Sequence, residues 1–106
     1  MRASSYAIRS LYTIAIAPDG KYVYEERVVH FSGKTEAEAV AKAELESIER
    51  SDRLEIDVFG ERLSCRIGRL SLDDGVELWS DEMESHLEVD DFYQQKYSKF
   101  EPEDGR

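Results

Sequence analysis

Alternating apolar and polar residues open the chain. Between Tyr6 and Ile16, the even-numbered positions are occupied mostly by aromatic or β-branched side chains. A period of two residues is typical of a β-strand with one buried face. Residues 17–21, APDGK, combine the proline, aspartate and glycine that favour a tight turn. The segment from Tyr22 to Phe31 is again rich in β-branched and aromatic residues, so the first third of the chain predicts a β-hairpin.

One long helix is predicted after this hairpin. Thr35 and Glu38 have the spacing of a capping box, in which a hydroxyl and a carboxylate bind free amides of the first turn. Apolar residues then form one narrow stripe, made of Ala37, Val40, Ala41, Leu45 and Ile48. Because such a stripe usually faces the core, we expect it to lie on the sheet. The helix is expected to end at residues 50–52.

A second hairpin is predicted downstream of the helix. Leu54, Ile56 and Val58 alternate with acidic residues, which indicates a third strand. Gly60 then predicts a turn, and residues 63–67 a returning fourth strand, followed by a β-bulge at Gly68. The acids of this region and of the first hairpin alternate with apolar residues and are therefore assigned to the outer face of the sheet: Glu25, Glu26, Glu55 and Asp57.

The last third of the chain predicts one more strand and a short helix. Residues 73–75, DDG, indicate a turn, and a fifth strand runs from Val76 toward Met83. The acidic segment 81–91 is interpreted as a loop, and Asp90 as the cap of a short helix through Tyr97.

The element order is thus ββαβββα. This order predicts an α+β fold, in which a mainly antiparallel sheet of about five strands carries one long helix and a short C-terminal helix. Residues 1–100 are expected to form a single domain, and residues 101–106 a disordered tail.

Four short segments share their pattern with a known protein family. They are the opening strand YAIRSLYTI, the acidic YEERVV, the helical TEAEAVAKAE, and the turn and strand DDGVELWS. Together they resemble a bacterial family of small uncharacterised proteins, domain of unknown function 4288, over about residues 6–92. The resemblance implies a bacterial source and an interaction role. It brings no activity, cofactor or catalytic residue.

Charge narrows the classes of partner. The chain has 24 acidic and 14 basic residues, a formal net charge of -10. This field repels phosphate backbones and anionic lipid headgroups, so neither nucleic acid nor a membrane is expected as a partner. Simple solubility is one interpretation of the acidity, and a basic protein partner is the other. The single cysteine, Cys65, fits a reducing compartment and favours a cytoplasmic location.

No catalytic constellation is evident. A nucleophilic serine or cysteine needs a neighbouring base, and only His30 and His86 are present as histidine bases. The densest set of potential metal ligands lies in the acidic loop: Glu84, His86, Glu88, Asp90 and Asp91. Its spacing lacks the glycine and the regular ligand positions of a calcium loop. We therefore expect no catalytic residue, metal or cofactor.

The sequence favours a non-catalytic protein-binding domain. Clustered carboxylates speed the encounter with a basic partner, such as a toxin domain that an immunity-type protein neutralises, and aromatic anchors supply affinity. The candidate contacts are Glu84, Glu88, Asp90 and Asp91, with Trp79 and Tyr93 as anchors. Two alternatives remain open: a small metal-dependent enzyme using the loop around His86, and a self-associating structural protein, with a homodimer joined through a sheet edge.

Overall fold

Four antiparallel strands and two helices make up residues 3–97, the part of the chain that this computed structural model describes. The elements are β1 (Ser4–Ile16), β2 (Tyr22–Gly33), α1 (Glu36–Leu54), β3 (Asp57–Gly68), β4 (Glu77–Ser85) and α2 (Val89–Tyr97). The spatial order of the strands is β3-β1-β2-β4. The α+β class and the antiparallel sheet are confirmed, whereas the prediction of five strands is wrong. Residues 1–2 and 98–100 of the predicted domain, and the predicted tail, lie outside the described residues.

The first hairpin, β1–β2, is confirmed. The Gly20 amide donates to the Ala17 carbonyl at 2.9 Å, and the Lys21 amide donates to the Asp19 carboxylate at 3.1 Å. The two strands pair along almost their whole length, from Ser4 opposite Gly33 to Ile16 opposite Tyr22. Each of them also pairs with an outer strand, so this hairpin forms the centre of the sheet.

Gly60 lies inside a strand and not in a hairpin turn. β3 pairs with β1 on both sides of it, with Phe59 opposite Leu11 and Leu63 opposite Arg9. Residues 60–62 therefore bulge opposite Ser10, and Gly60 has a φ of 76°. A glycine at positive φ suits a turn and a bulge equally. The two strands predicted around Gly60 are one strand, and the sheet therefore has four strands instead of five.

The β-bulge predicted at Gly68 is confirmed. The register shifts where Ser5 lies opposite Gly68 and Tyr6 lies opposite Arg66, and Gly68 has a φ of 103°. β3 ends there, and the connection to β4 crosses the end of the sheet, because β3 and β4 form opposite edges.

Buried His30 anchors this crossing connection. Its ring nitrogens lie 3.1 Å from the Asp73 carbonyl and 2.8 Å from the Ser5 hydroxyl. The His30 carbonyl accepts a hydrogen bond, at 2.7 Å, from the amide of Gly75, which belongs to the turn predicted at residues 73–75. β4 then pairs with β2 through Ser85, so residues 81–85, expected in a loop, belong to a strand.

Helix α1 begins as predicted but buries a different face. The Thr35 hydroxyl accepts from the Glu38 amide at 3.2 Å, and the helix continues to Leu54, beyond the predicted end. The buried residues are Ala39, Ala43 and Ser47. Of the predicted stripe, Val40 packs against the core, whereas Leu45 and Ile48 are 71% and 51% exposed.

Ion pairs explain the orientation of α1. On the face of the sheet that α1 covers, Arg27 pairs with Glu46 at 2.9 Å, and Glu25 pairs with Arg50 at 2.7 Å. The Arg50 guanidinium also lies 4.7 Å from the centre of the Tyr12 ring. These contacts require the polar side of the helix to face the strands, and the small side chains between them allow a close approach. The assignment of Glu25 to the outer face was therefore wrong.

Two small hydrophobic clusters lie on opposite faces of the sheet. The cluster under α1 contains Tyr6, Ile8, Val29, Phe31, Ala39 and Ala43. The cluster under α2 contains Leu11, Tyr24, Phe92 and Tyr97. Alternation along the central strands supplies both clusters, so each helix is held by its own set of residues.

Replacing Gly60 with alanine is expected to destabilise the protein more than the same change at Gly20. Both glycines have positive φ, which costs an alanine about 1–2 kcal/mol. A Cβ at Gly60 would also lie 2.6 Å from the Tyr93 ring, whereas nothing lies within 4 Å at Gly20. Overpacking of this kind adds about 1–3 kcal/mol. Urea denaturation of both variants measures the difference, and equal losses would contradict the packing of Tyr93 on β3.

Asp74 is expected to stabilise the fold at neutral pH and not in acid. Partial burial raises the pKa of its carboxyl, but bonds from the Ser32 amide at 2.8 Å and from Lys42 at 3.1 Å outweigh this and lower it. A lowered folded-state pKa gives stability above the unfolded pKa of about 3.9, and this stability is lost as the pH falls through the folded value.

Asp74→Asn is therefore expected to cost about 0.5–1.5 kcal/mol at pH 7. The difference from the unaltered protein should shrink toward zero below about pH 3.9. Denaturation curves across this pH range check the result, with Asp73→Asn as the matched control in the same turn. A difference that persists unchanged in acid would rule out the ionised carboxylate as its source.

Candidate functional site

An open cavity of about 270 Å³ lies beside the start of α2. Three carboxylates and two phenol rings contribute to its wall, which is lined by Thr13, Tyr22, Tyr24, Asp57, Glu88, Val89 and Asp90. These residues come from the ends of β1, β2 and β3 and from the first residues around α2. The cavity therefore forms only when α2 folds back onto the sheet.

Tyr24 holds α2 against the strands. Its buried ring stacks on Phe92, with ring centres 4.2 Å apart, and its hydroxyl donates to the Leu87 carbonyl at 2.7 Å. The Tyr22 ring also stacks on Tyr24, with ring centres 6.1 Å apart. The pKa of Tyr24 is raised by burial and further by the nearby Tyr22, Glu88 and Asp90. The wall around Tyr24 is thus both aromatic and electronegative.

The carboxylates of this wall have no counter-ion among the residues that the structure describes. No ion pair within residues 3–97 involves Asp57, Glu88 or Asp90. Some acids elsewhere in the fold, such as Glu46 and Asp74, are paired with arginine or lysine, whereas others on the surface, such as Asp81, have no ion pair among the described residues. Negative charge beside the half-buried Tyr22 ring is an arrangement that attracts a cation.

The structure brings together two of the four acids predicted as contacts. Glu88 and Asp90 line the cavity, and exposed Asp91 follows in the first turn of α2. Glu84 neighbours Met83 on β4, and Met83 packs against the α2 cluster. Because neighbouring side chains of a strand point to opposite faces, Glu84 projects from the other side of the sheet.

The sequence interpretation missed Asp57 as a member of this group. It assigned Asp57 to the outer face by its alternation with apolar residues. Asp57 does alternate with apolar residues in β3. It lies opposite Thr13 of β1, however, at the end of the sheet where α2 begins. The signal that finds it is the strand pairing, which the sequence does not specify.

The two predicted anchors lie in different surroundings. Trp79 is 48% exposed and lies on β4, opposite Val28. It is four residues along the strand from Met83, which corresponds to about 13 Å. Tyr93 is half-buried, and its ring contacts Phe59 and Tyr97 at 5.4 Å and 4.7 Å between centres. Tyr93 therefore packs α2 onto β3, and Trp79 is separate from the cavity.

A buried carboxylate fixes the far end of α2. Glu26 is only 4% exposed, accepts from the Tyr97 hydroxyl at 2.6 Å, and lies 3.5 Å from the Arg9 guanidinium. Burial, and then the bond to Glu26, raise the pKa of Tyr97. The assignment of Glu26 to the outer face was wrong, because α2 covers the half of the sheet where Glu26 lies.

The residues weighed for catalysis are not assembled into a site. Cys65 is exposed on β3, whereas His30 and Ser5 are both buried and bonded to one another, which closes the pair to substrate. His86 is exposed in the connection between β4 and α2. Among residues 3–97, no three side chains of histidine, cysteine, aspartate or glutamate lie close enough to hold a metal ion.

Comparisons of the chain with protein-family models, with curated proteins and with solved structures found no match. The resemblance to domain of unknown function 4288 therefore stays a prediction. Neither of the two described helices is long and apolar enough to cross a lipid bilayer.

Tyr97→Phe is expected to loosen α2 and with it the cavity. The change removes the 2.6 Å donor from a buried carboxylate, which costs about 1–3 kcal/mol of unfolding free energy. Tyr93→Phe is the matched control, because its hydroxyl lies 3.5 Å from the Glu61 carbonyl and should contribute less than about 0.5 kcal/mol. Urea denaturation measures both, and losses of equal size would show that Glu26 does not depend on Tyr97.

Proposed function

We propose that this chain is a non-catalytic protein-binding domain that receives a basic side chain of a partner protein in the cavity at the start of α2. The observation that supports this most directly is the wall of the cavity. Asp57, Glu88 and Asp90 lie there without a described counter-ion, next to Tyr22 and Tyr24. A lysine or arginine of a partner satisfies the carboxylates and contacts the half-buried Tyr22 ring.

The open form of the cavity suits a side chain that is carried by a larger partner. About 270 Å³ is slightly below the roughly 300–1,000 Å³ that small-molecule sites usually offer. The cavity is also open to solvent along the surface of α2, so a segment of a larger partner can lie across it. An inserted cationic side chain is the occupant that fits both the volume and the charge.

The net charge of the chain supports the same partner class. A formal charge of -10 attracts a basic protein over long distances and raises the rate of encounter. Exposed Asp91, one residue beyond the cavity, extends the negative surface along α2. The contacts inside the cavity then select the partner, because a cation there is partly removed from water.

A basic bacterial toxin domain, neutralised by one copy of this chain in the cytoplasm, is the partner that we propose. The resemblance to a bacterial family with an implied interaction role supports this choice. So does the exposed acidic surface, since immunity-type binding requires an accessible and strongly charged face.

The charge-neutral triple variant Asp57→Asn, Glu88→Gln and Asp90→Asn tests the proposal. Hexa-arginine serves as a defined basic probe, with binding followed by the chemical shifts of backbone amides in the ¹⁵N-labelled protein. The unaltered protein is expected to show its largest shifts at Thr13, Tyr22 and Val89. The triple variant should bind at least about tenfold more weakly, since tenfold corresponds to only about 1.4 kcal/mol.

A second triple variant with the same change of charge provides the control. Asp73→Asn, Asp81→Asn and Glu82→Gln alter three exposed acids that do not line the cavity. If both triple variants weaken binding equally, net charge alone attracts the probe and the proposed cavity site is wrong. Shifts that are absent, or that spread over the whole surface, would also overturn it.

A further inference from the structure

A second open cavity, of about 360 Å³, lies between α1 and β3. It is lined by Val40 and Glu44 of the helix and by Gly60, Glu61 and Arg62 of the strand. The cavity at the start of α2 has a different lining. We call the second one the Arg62 cavity. Its volume lies within the range of roughly 300–1,000 Å³ that small-molecule sites usually offer.

Arg62 is held in this wall by three hydrogen bonds to uncharged acceptors. Its Nε and one terminal nitrogen donate to the Ser47 hydroxyl at 3.0 Å and 2.6 Å, and the other terminal nitrogen donates to the Gly60 carbonyl at 2.6 Å. Ser47 is completely buried, and its hydroxyl donates in turn to the Glu44 carbonyl at 2.8 Å. The fold therefore fixes the guanidinium before any ligand is bound.

Two N–H groups of Arg62 have no acceptor among the described residues. A guanidinium has five N–H donors, and three of them bond to Ser47 and Gly60. Each terminal nitrogen uses one N–H in these bonds and therefore keeps one. Two such donors are what a carboxylate accepts in a bidentate pair.

Arg62 also differs from the other half-buried arginines. Four arginines among residues 3–97 are half-buried, and three of them pair with a glutamate: Arg9, Arg27 and Arg50. Arg62 is the fourth, and no ion pair in this part of the chain involves it. The remaining described arginines without an ion pair are exposed to water: Arg53, Arg66 and Arg69. A charge that is partly removed from water is costly unless it is paired, so Arg62 calls for an anionic group from outside the fold.

The acids of the same wall disfavour a simple anion. Glu44 and Glu61 line the cavity, and neither forms an ion pair within residues 3–97. Together with the net charge of -10, they repel phosphate or sulfate. A ligand that carries an ammonium group beside its carboxylate satisfies Arg62 and the two acids at once. Opposite charges that line one cavity without pairing thus match a zwitterion.

We propose that the Arg62 cavity binds a free α-amino acid, with the carboxylate on Arg62 and the ammonium group on Glu44 and Glu61. An α-amino acid is a small zwitterion whose two charges lie on neighbouring carbon atoms. Half-buried Val40 supplies an apolar part of the wall, so the expected ligand has an apolar side chain, such as that of leucine. This binding activity is separate from the cavity at α2 and does not rest on the proposed function.

Three related compounds test which charges the Arg62 cavity recognises. L-Leucine carries both charges, N-acetyl-L-leucine only the carboxylate, and L-leucinamide only the ammonium group. Binding is followed by the backbone amide shifts of the ¹⁵N-labelled protein at millimolar compound. L-Leucine is expected to cause saturable shifts at Val40, Glu44 and Arg62, and each derivative to bind at least about tenfold more weakly. No saturable shifts at these residues, or equal binding of either derivative, overturns the proposal.

Arg62→Gln and Arg66→Gln form a matched pair on β3. Arg66 is exposed and does not line the cavity. Arg62→Gln is expected to weaken L-leucine binding at least about tenfold, and Arg66→Gln to leave it unchanged, with circular dichroism confirming that both variants are folded. Leucine binding that survives Arg62→Gln overturns the proposal.

A change on the acidic side of the cavity gives a result that does not depend on the packing of Arg62. Glu44 is exposed, and its bond from Ser47 is made by the backbone carbonyl, so Glu44→Gln leaves that contact in place. Glu44→Gln is expected to weaken the binding of L-leucine but not of N-acetyl-L-leucine, because only the first compound has an ammonium group. Glu49→Gln, an exposed acid of α1 outside the cavity, should change neither. If Glu44→Gln weakens both compounds equally, the assignment of the ammonium group is wrong.

Discussion

The need to cover both faces of the β1–β2 hairpin determines most of this structure. The two central strands carry apolar side chains on both faces, with Ile8 and Val29 on one and Leu11 and Tyr24 on the other. Leaving either set in water would forfeit the burial that stabilises a domain of this size. One helix cannot cover both faces. The short helix α2 is therefore as necessary to the fold as α1, although its sequence is much less distinctive.

Each helix is positioned by charges that lie inside the fold. α1 is oriented by Arg27 and Glu25 of β2, which pair with Glu46 and Arg50, and α2 is held by the bond from Tyr97 to Glu26. Buried polar groups are costly unless they are paired, so these contacts select one orientation among several with similar apolar burial. This selection gives α1 its polar inner side and leaves Leu45 and Ile48 in solvent.

The same contacts place the cavity at the start of α2 and the exposed apolar side of α1 on different sides of the molecule. α2 folds over one end of the sheet and closes the cavity of Asp57, Glu88 and Asp90, whereas the exposed apolar side of α1 lies on the other side of the molecule. One surface is acidic and aromatic and suits a basic partner. The other is apolar, with exposed Leu45 and Ile48.

The sequence by itself determined the local features of this protein. The first hairpin, the Thr35 cap, the turn at residues 73–75 and the bulge at Gly68 all depend on residues close together in the chain, such as Asp19 and Gly20. The strongly acidic segment that contains Glu88 and Asp90 is also evident from the sequence. The backbone preferences and charges of these residues act over only a few positions, so they can be predicted directly from the sequence.

Only the tertiary structure decided how these features meet. Gly60 suits a turn or a bulge, and the Tyr93 ring and the pairing with β1 make it a bulge. α1 has an apolar side and a side rich in small and charged residues, and Arg27 and Glu25 turn the second side inward. Asp57 joins the cavity only because β3 pairs with β1 at the end where α2 begins. These outcomes depend on contacts between residues that are far apart in the chain. The energies of such contacts cannot be predicted from a local sequence pattern.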